Sequence, residues 1–148
     1  MLALQLIERN NLRLLSVSLL FLTLSQISLC GNDTDAILTR EITINMGDST
    51  IKTQLMVEKM DIPLKNQLCY FWYYANKINQ NYGGYAGSLL HGKYYLYNAS
   101  DKLIQSGQFY KGLKNKAWKQ WYANGELRSV KHWKKGLLHG ERIDYQVD

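Results

Sequence analysis

Three histidines are the residues whose type and spacing come closest to metal-binding chemistry. His91 and His139 occupy the same place in two Leu-Leu-His-Gly segments, and His132 lies seven residues before His139. A metal site requires ligands that converge on one point. Equivalent residues of a repeat lie one whole unit apart, and the third copy of the segment carries Lys116 where the others carry histidine. We therefore expect histidines on turn surfaces and predict neither a metal site nor a cofactor.

Acid–base and nucleophilic chemistry have still less support. The carboxylates of Glu126, Glu141 and Asp144 have no partner placed by the sequence pattern, whereas acid–base catalysis needs positioned groups. No serine of the repeats stands in a nucleophile-elbow motif. The pair Gly83-Gly84 belongs to a hairpin connection rather than to a phosphate-binding loop. We predict that the protein has no catalytic residues and is not an enzyme.

The first thirty residues have the features of an export signal. Arg9 and Arg13 precede an apolar run from Leu14 to Leu24, which is short for a membrane-spanning helix and suits the core of a signal peptide. Ile27-Ser-Leu-Cys30 follows and is similar to a bacterial lipobox, although Leu29 stands where Gly or Ala is usual. We predict export to the periplasm, outer membrane or cell surface. Membrane attachment would be through the N-terminal signal or through a lipid on Cys30.

The two cysteines leave two alternatives open. If Cys30 carries a lipid, Cys69 remains as a single buried thiol on a strand. If Cys30 carries none, an oxidising compartment would permit a disulfide between the two. Two cysteines are too few for a disulfide scaffold or a structural zinc site.

The composition is that of one β-rich domain with additional segments. The chain has 148 residues, of which 46% are hydrophobic, and it contains eleven Tyr and four Trp against three Phe. Tyr and Trp suit half-solvated sheet surfaces because each has an apolar body and a polar tip. A single proline argues against a disordered domain. The formal charge of +6 is spread through the chain, as on a solvated strand face, so we expect no nucleic-acid partner.

A repeat between residues 64 and 148 provides the elements that position these residues. Small residues recur at 69, 92, 117 and 140, with spacings of 23, 25 and 23 residues. A tyrosine follows each by five positions, and an aromatic residue precedes the last three by seven. The small anchor residues are Cys69, Gly92, Ala117 and Gly140; the following tyrosines are Tyr74, Tyr97, Tyr122 and Tyr145; the preceding aromatics are Tyr85, Tyr110 and Trp133. A period of this length indicates an array of similar supersecondary units.

The composition of each unit favours β-hairpins. A unit has room for two strands of about five or six residues and two turns. Asn124-Gly125 is a strong turn signal, and we expect Asn98-Ala-Ser-Asp101 to close the equivalent turn with two more residues. The anchors are expected where the backbone approaches closely or takes a positive φ. We expect the tyrosines after the anchors to form one continuous inward-facing row, and Trp118 and Trp121 to be a candidate binding surface.

A further hairpin precedes the array. Ile42, Ile44 and Met46 alternate with polar residues, Gly47-Asp-Ser49 supplies turn chemistry, and a second alternating run extends from Ile51 to Val57. The predicted organisation is a signal peptide over 1–30, a tether over 31–40, a hairpin over 41–63 and the repeat array over 64–148. The fold class is all-β, an elongated antiparallel meander of repeated hairpins.

The repeat resembles the bacterial variant of the MORN repeat. The best match is Ala117-Trp-Lys-Gln-Trp-Tyr-Ala-Asn-Gly-Glu-Leu127, with Trp133-Lys-Lys-Gly-Leu-Leu-His-Gly140 leading into the next unit. The resemblance covers about residues 69 to 145 and departs from the family pattern at Cys69, at Ala117 and after Tyr74 and Tyr97, where Asn-Gly is absent. Proteins of this kind are often labelled YwqK-type antitoxin components of toxin–antitoxin systems. The resemblance implies a sheet of successive hairpins and no catalytic residues, because the family motif is structural.

These observations predict an exported, non-enzymatic MORN-variant repeat protein that acts as a protein-binding or scaffold module at the cell envelope. One alternative is an antitoxin or immunity-type partner of a toxin, although an antitoxin normally meets its toxin in the cytoplasm. Another is a cell-wall ligand, choline or glycan, because the segment from Lys93 to Leu103 also resembles a choline-binding repeat. Exposure of Trp118, Trp121 and Trp133 along a groove would favour that ligand, and burial of all three would not.

Overall fold

The computed structural model describes residues 37–146, which form nine β-strands and no helix. The predicted signal peptide, Cys30 and most of the tether lie outside the described residues. All strand pairs are antiparallel, so the predicted all-β class of antiparallel hairpins is confirmed. The strands are β1 (Thr39–Asn45), β2 (Ser49–Met56), β3 (Cys69–Tyr74), β4 (Lys77–Tyr82), β5 (Ser88–Asn98), β6 (Leu103–Tyr110), β7 (Leu113–Trp121), β8 (Leu127–Lys134) and β9 (Leu137–Asp144).

The predicted first hairpin is present, but β1 begins at Thr39, inside the segment predicted as a tether, and β2 ends at Met56. Strands β1 and β2 pair from Thr39↔Met56 to Asn45↔Thr50, and Gly47 takes the positive φ that the connecting turn requires. Ile44 and Ile51 face each other across the pair and are buried. Alternation therefore places the apolar side of this hairpin against the core.

Strands β5 to β9 form a continuous meander at one side of the sheet. The strand order is β1-β2-β5-β6-β7-β8-β9. Residues with positive φ recur along this meander at intervals of 24 residues. Gly92, Lys116 and Gly140 lie in bulges. Asp101 and Gly125 lie in the β5–β6 and β7–β8 turns, and Gly112 and Gly136 lie in the β6–β7 and β8–β9 turns. The backbone therefore repeats with a uniform period, although the sequence anchors are unevenly spaced.

The uneven spacing of the anchor residues arises at the bulge in β7, which contains Lys116. Positive φ falls on the anchors Gly92 and Gly140 as expected, but in the middle copy it falls on Lys116, one residue before the anchor Ala117. The expectation of a longer turn at Asn98 was wrong. Asn98 N–H donates to Lys102 O, and Tyr122 N–H donates to Glu126 O, each at 2.9 Å, so the two turns have the same length.

The β3–β4 hairpin is not part of the continuous strand order of the sheet. The expectation that the unit beginning at Cys69 is a fourth repeat of the array was therefore wrong. Strand β2 pairs directly with β5, and β3 meets only the start of β5, at Trp72↔Leu89 and Tyr73↔Ser88. A hydrogen bond of 2.7 Å from Phe71 N–H to Gly112 O holds the hairpin against the β6–β7 turn. The β3–β4 hairpin cannot join the meander as a further repeat, because β2 already pairs with the free edge of β5.

The buried side chains form two apolar clusters. The larger contains Tyr94, Phe109 and Trp118, and Phe71 of β3 packs against it. The smaller contains Tyr70, Trp72 and other side chains near the base of the hairpin. Because β3 sends alternate side chains to both clusters, the hairpin ties them together.

Candidate functional site

The predicted tyrosine row is split between interior and surface. Tyr97 and Tyr122 are half-buried, as are the predicted core aromatics Tyr85, Tyr110 and Trp133. Tyr74 is 63% exposed and Tyr145 is 42% exposed, so the expectation of one continuous inward-facing row was wrong. Tyr74 ends the β3 strand at a hairpin tip away from the meander, and Tyr145 follows the outermost strand, so neither has a strand on both sides.

The aromatic core is formed by three other residues, Tyr94, Phe109 and Trp118. Their ring centroids lie 4.9 to 5.6 Å apart. Trp118 is only 5% exposed, and its Nε1–H donates to Gln108 O at 3.2 Å. Its assignment to a binding surface is therefore corrected: the indole is packed inside the sheet, while Trp121 is half-buried. Tyr94 and Trp118 each lie two residues after a bulge residue with positive φ, and an alignment on a 24-residue period would have found them.

Lys114 projects into this aromatic group. Its Nζ lies 4.6 Å from the ring centroid of Trp118, 5.2 Å from that of Trp133 and 5.3 Å from that of Phe71. Within residues 37–146 the sole ion pair is Arg142–Asp144, so the ammonium has no carboxylate partner there. Burial lowers the pKa of Lys114, the positive charge of Lys131 lowers it further, and Cys69 acts in the opposite direction. Cation–π attraction to the three rings is what stabilises the charge at this position.

A cleft of about 260 Å³ lies between the β3–β4 hairpin and the sheet, and Lys114 is part of its wall. The apolar part of the lining consists of Ile51, Phe71, Ile78, Tyr94, Phe109 and Trp118. The amide side chains in the lining are Asn79, Gln80 and Gln105. Burial raises the pKa of Tyr94 to about 12, which keeps its hydroxyl protonated at physiological pH. The lining thus combines one cation, one phenol and amides with aromatic walls.

The histidines do not converge on a metal. His91 is half-buried, and its Nδ1 accepts a hydrogen bond from Lys111 N–H at 3.2 Å; burial and the charge of Lys111 lower its pKa. His132 and His139 both line a shallow surface depression beside Glu141. No group of three or more His, Cys, Asp or Glu residues within residues 37–146 is arranged to hold a metal ion.

Cys69 is half-buried at the start of β3 and forms no disulfide within residues 37–146. Burial raises its pKa, and Lys114 opposes that shift. The predicted alternatives, a lipid on Cys30 or a disulfide between Cys30 and Cys69, involve Cys30, which lies outside the described residues.

The other unusual surface is the β9 edge, the strand Leu137–Asp144. It is the last strand of the sheet order, and all of its residues are exposed. Leu137 and Leu138 are 58% and 60% exposed, and Ile143 is exposed as well. The strand also carries His139 and the charged residues Glu141, Arg142 and Asp144. As an outermost strand, it offers unpaired N–H and C=O groups to another chain.

Comparison of the chain with protein families, with characterised proteins and with solved structures gave no significant match. Across residues 37–146, no helix has the length and apolar character needed to cross a membrane.

Proposed function

We propose that this chain is a non-enzymatic protein-binding or scaffold module of the MORN-variant type that acts at the cell envelope and uses the β9 edge as its docking element. The observation that carries the proposal is the exposure of every residue in that outermost strand, including two adjacent leucines. Natural sheet proteins protect such edges by shortening, charging or covering them. The β9 edge carries charge at Glu141, Arg142 and Asp144, but Leu137 and Leu138 at its start are left uncovered, and this uncovered apolar area is what we take as the docking surface.

The hydrogen-bonding register of β9 defines what a partner would meet. Tyr145 N–H donates to Arg128 O at 2.8 Å, and Ile143 pairs with Val130 in the same register. In an antiparallel pair the hydrogen-bonding direction alternates along the strand. The backbone groups of Arg142 and Asp144 consequently point away from β8. An extended segment of a partner protein would add as a tenth strand through these groups.

The side chains at this edge suit a partner segment of mixed character. Leu137, Leu138 and Ile143 supply apolar contact area, while Lys134 and Lys135, both exposed, lie at the turn that begins the strand. An extended segment with apolar residues and an acidic end would match this arrangement. A toxin recognised by an antitoxin or immunity protein would be one such partner, and it would use the same edge.

The choline or glycan alternative has less support from the geometry. Choline recognition uses an aromatic cage around a quaternary ammonium, but the rings of Phe71, Trp118 and Trp133 already surround the ammonium of Lys114. The chain's own cation fills the position that a choline would take.

Site-specific photocrosslinking in the native host tests the proposal. A photoreactive residue at Leu138 should give one discrete protein adduct, whereas the same residue at Tyr82, which is 74% exposed on β4, should not. In the variant with the photoreactive residue at Leu138, the additional substitution Asp144→Pro removes a backbone N–H that points away from β8 and should abolish the adduct. The substitution Asp144→Ala keeps that N–H and should retain the adduct. Equal adducts from Leu138 and Tyr82, or an adduct insensitive to Asp144→Pro, would contradict docking at the β9 edge.

A further inference from the structure

The cleft beneath the β3–β4 hairpin is lined by polar side chains that have no hydrogen-bonding partner within residues 37–146. Lys114, Tyr94 and Gln105 all line it. Within residues 37–146, the Lys114 ammonium is in no ion pair. The hydroxyl of Tyr94 and the amide of Gln105 likewise take part in no hydrogen bond within that range. Because these groups line an open cleft, water or a bound molecule can be their partner. The one fully buried side-chain polar atom without a partner in residues 37–146, Trp72 Nε1, lies outside the cleft lining.

We propose that this cleft binds a small organic carboxylate with a planar or apolar body. The carboxylate would accept hydrogen bonds from the Lys114 ammonium and the Tyr94 hydroxyl. The body of the molecule would pack against the rings of Phe71 and Phe109 and the side chain of Ile78. This binding activity is independent of docking at the β9 edge, which lies on other strands.

The charge of the lining selects an anion. Lys114 is the one charged residue among those that line the cleft, and Lys131 contributes further positive potential at Lys114. Burial disfavours the ammonium form of Lys114, whereas a bound carboxylate would favour it and would raise the pKa of Lys114. Tyr94, with a pKa of about 12, stays a neutral donor and does not repel the anion.

The size and the walls select an organic ligand. A volume of about 260 Å³ is enough for a small molecule but lies below the usual range of drug-sized sites, roughly 300–1,000 Å³. Most of the lining is aromatic or aliphatic. An inorganic anion such as phosphate would turn hydrated oxygens toward those walls and lose their solvation. A carboxylate attached to a ring presents charge at one end and apolar surface at the other.

Calorimetric titration of the full chain with benzoate tests this inference. Benzamide, which has the same shape without the charge, and inorganic phosphate serve as ligand controls. We expect saturable benzoate binding that is at least about tenfold tighter than binding of either control, the ratio that one charge-assisted hydrogen bond supplies. No saturable binding of benzoate, or equal binding of phosphate, would overturn the proposal.

Matched variants separate binding from folding. Lys114→Met should weaken benzoate binding about tenfold or more, whereas Lys119→Met, at an exposed position of the same strand, should leave it unchanged. Tyr94→Phe keeps the ring and should weaken binding several-fold. Nuclear magnetic resonance of the lysine side chains should show the pKa of Lys114 rising when benzoate is added. Undiminished binding by folded Lys114→Met, or an unmoved Lys114 pKa in the wild type at saturation, would contradict the assignment.

Discussion

The hydroxyl of Tyr122 donates a hydrogen bond of 2.9 Å to the backbone carbonyl of Tyr145. Tyr122 directly follows β7, and Tyr145 directly follows the outermost strand β9. The bond therefore spans β8 and ties the last residues of the sheet to an inner turn. Only the backbone carbonyl of Tyr145 takes part in this bond; the residue is 42% exposed.

This bond predicts a difference between two otherwise identical changes. Tyr122→Phe should lower the free energy of unfolding by about 1 kcal/mol, the usual net value of one hydrogen bond. Tyr145→Phe should have almost no effect, because its hydroxyl makes no hydrogen bond within residues 37–146. Chemical denaturation measures both, and amide exchange at the end of β9 should accelerate only in Tyr122→Phe. Equal losses would show that the bond does not hold the strand end.

The close packing of Trp118 on Gly107 leaves no room for a side chain at position 107. A Cβ added there would lie 2.3 Å from Trp118 Cδ2, so the indole would have to move. Gly107→Ala should cost about 1–3 kcal/mol, the range for overpacked interiors. Gly84→Ala is the control, since nothing lies within 4 Å of its added Cβ and its φ is not positive. We expect the control to change the stability by less than about 0.5 kcal/mol; a similar loss in both variants would argue against close packing of Trp118 on Gly107.

Tyr94 predicts a loss of stability at alkaline pH. Burial raises its pKa to about 12 in the folded state, above the usual value of 10.0. The folded state therefore holds the phenolic proton more tightly. The resulting stability is complete below pH 10 and is lost as the pH rises toward about 12.

Comparison of two variants isolates this contribution. Tyr94→Phe should remove a pH-dependent term on the order of 2 kcal/mol between these limits. Tyr82→Phe, at an exposed tyrosine, should leave the pH profile of stability unchanged. Denaturant titrations at several alkaline pH values provide the measurement. Parallel profiles for wild type and Tyr94→Phe would mean that Tyr94 titrates normally.

The local elements of this fold could be predicted from the sequence, but their partners could not. Alternation and turn residues placed the β1–β2 hairpin and the turn at Asn124-Gly125, because both depend on neighbouring residues. The pairing of β2 with β5 joins residues separated by the whole β3–β4 hairpin, and no local pattern encodes that choice. The exclusion of the Cys69 copy from the meander follows from this distant pairing.

The candidate site was missed for a related reason. Lys114 is one of many lysines in the sequence, and its contact with Phe71 requires the hairpin to fold onto the meander. Tyr94 and Trp118 carried a detectable signal, since they are 24 residues apart and follow equivalent bulges. Alignment on the tyrosines five residues after the anchors obscured that signal. The 24-residue period is a property of the backbone and is seen in the positive-φ residues, whereas the small anchor residues depart from it by one position at Ala117.

The predicted export signal, which lies outside the described residues, leads to a prediction about the N-terminus. If Cys30 carries a lipid, Cys30→Ala should abolish incorporation of labelled palmitate and move the protein out of the membrane fraction. Cys69→Ala should retain both properties and serves as the control. Metabolic labelling followed by membrane fractionation measures them. A membrane fraction unchanged in Cys30→Ala would instead indicate anchoring by an uncleaved signal.

The position of the middle bulge gives the last prediction. Lys116 has a φ of 59°, where Gly92 and Gly140 occupy the equivalent places in the other copies. A left-handed conformation costs a residue with a Cβ about 1–2 kcal/mol, and glycine is free of that cost. Glycine also adds entropy to the unfolded chain, which offsets part of the gain.

The two effects predict opposite signs at neighbouring positions. Lys116→Gly should raise the free energy of unfolding by about 0.5–1 kcal/mol, because relief of strain outweighs the entropy term. Ala117→Gly should lower it by about the same amount, because Ala117 has no positive φ and glycine weakens a strand interior. Chemical denaturation of both variants distinguishes a bulge at Lys116 from one at Ala117. Stabilisation by Ala117→Gly instead would place the bulge on the sequence anchor and restore the uneven period.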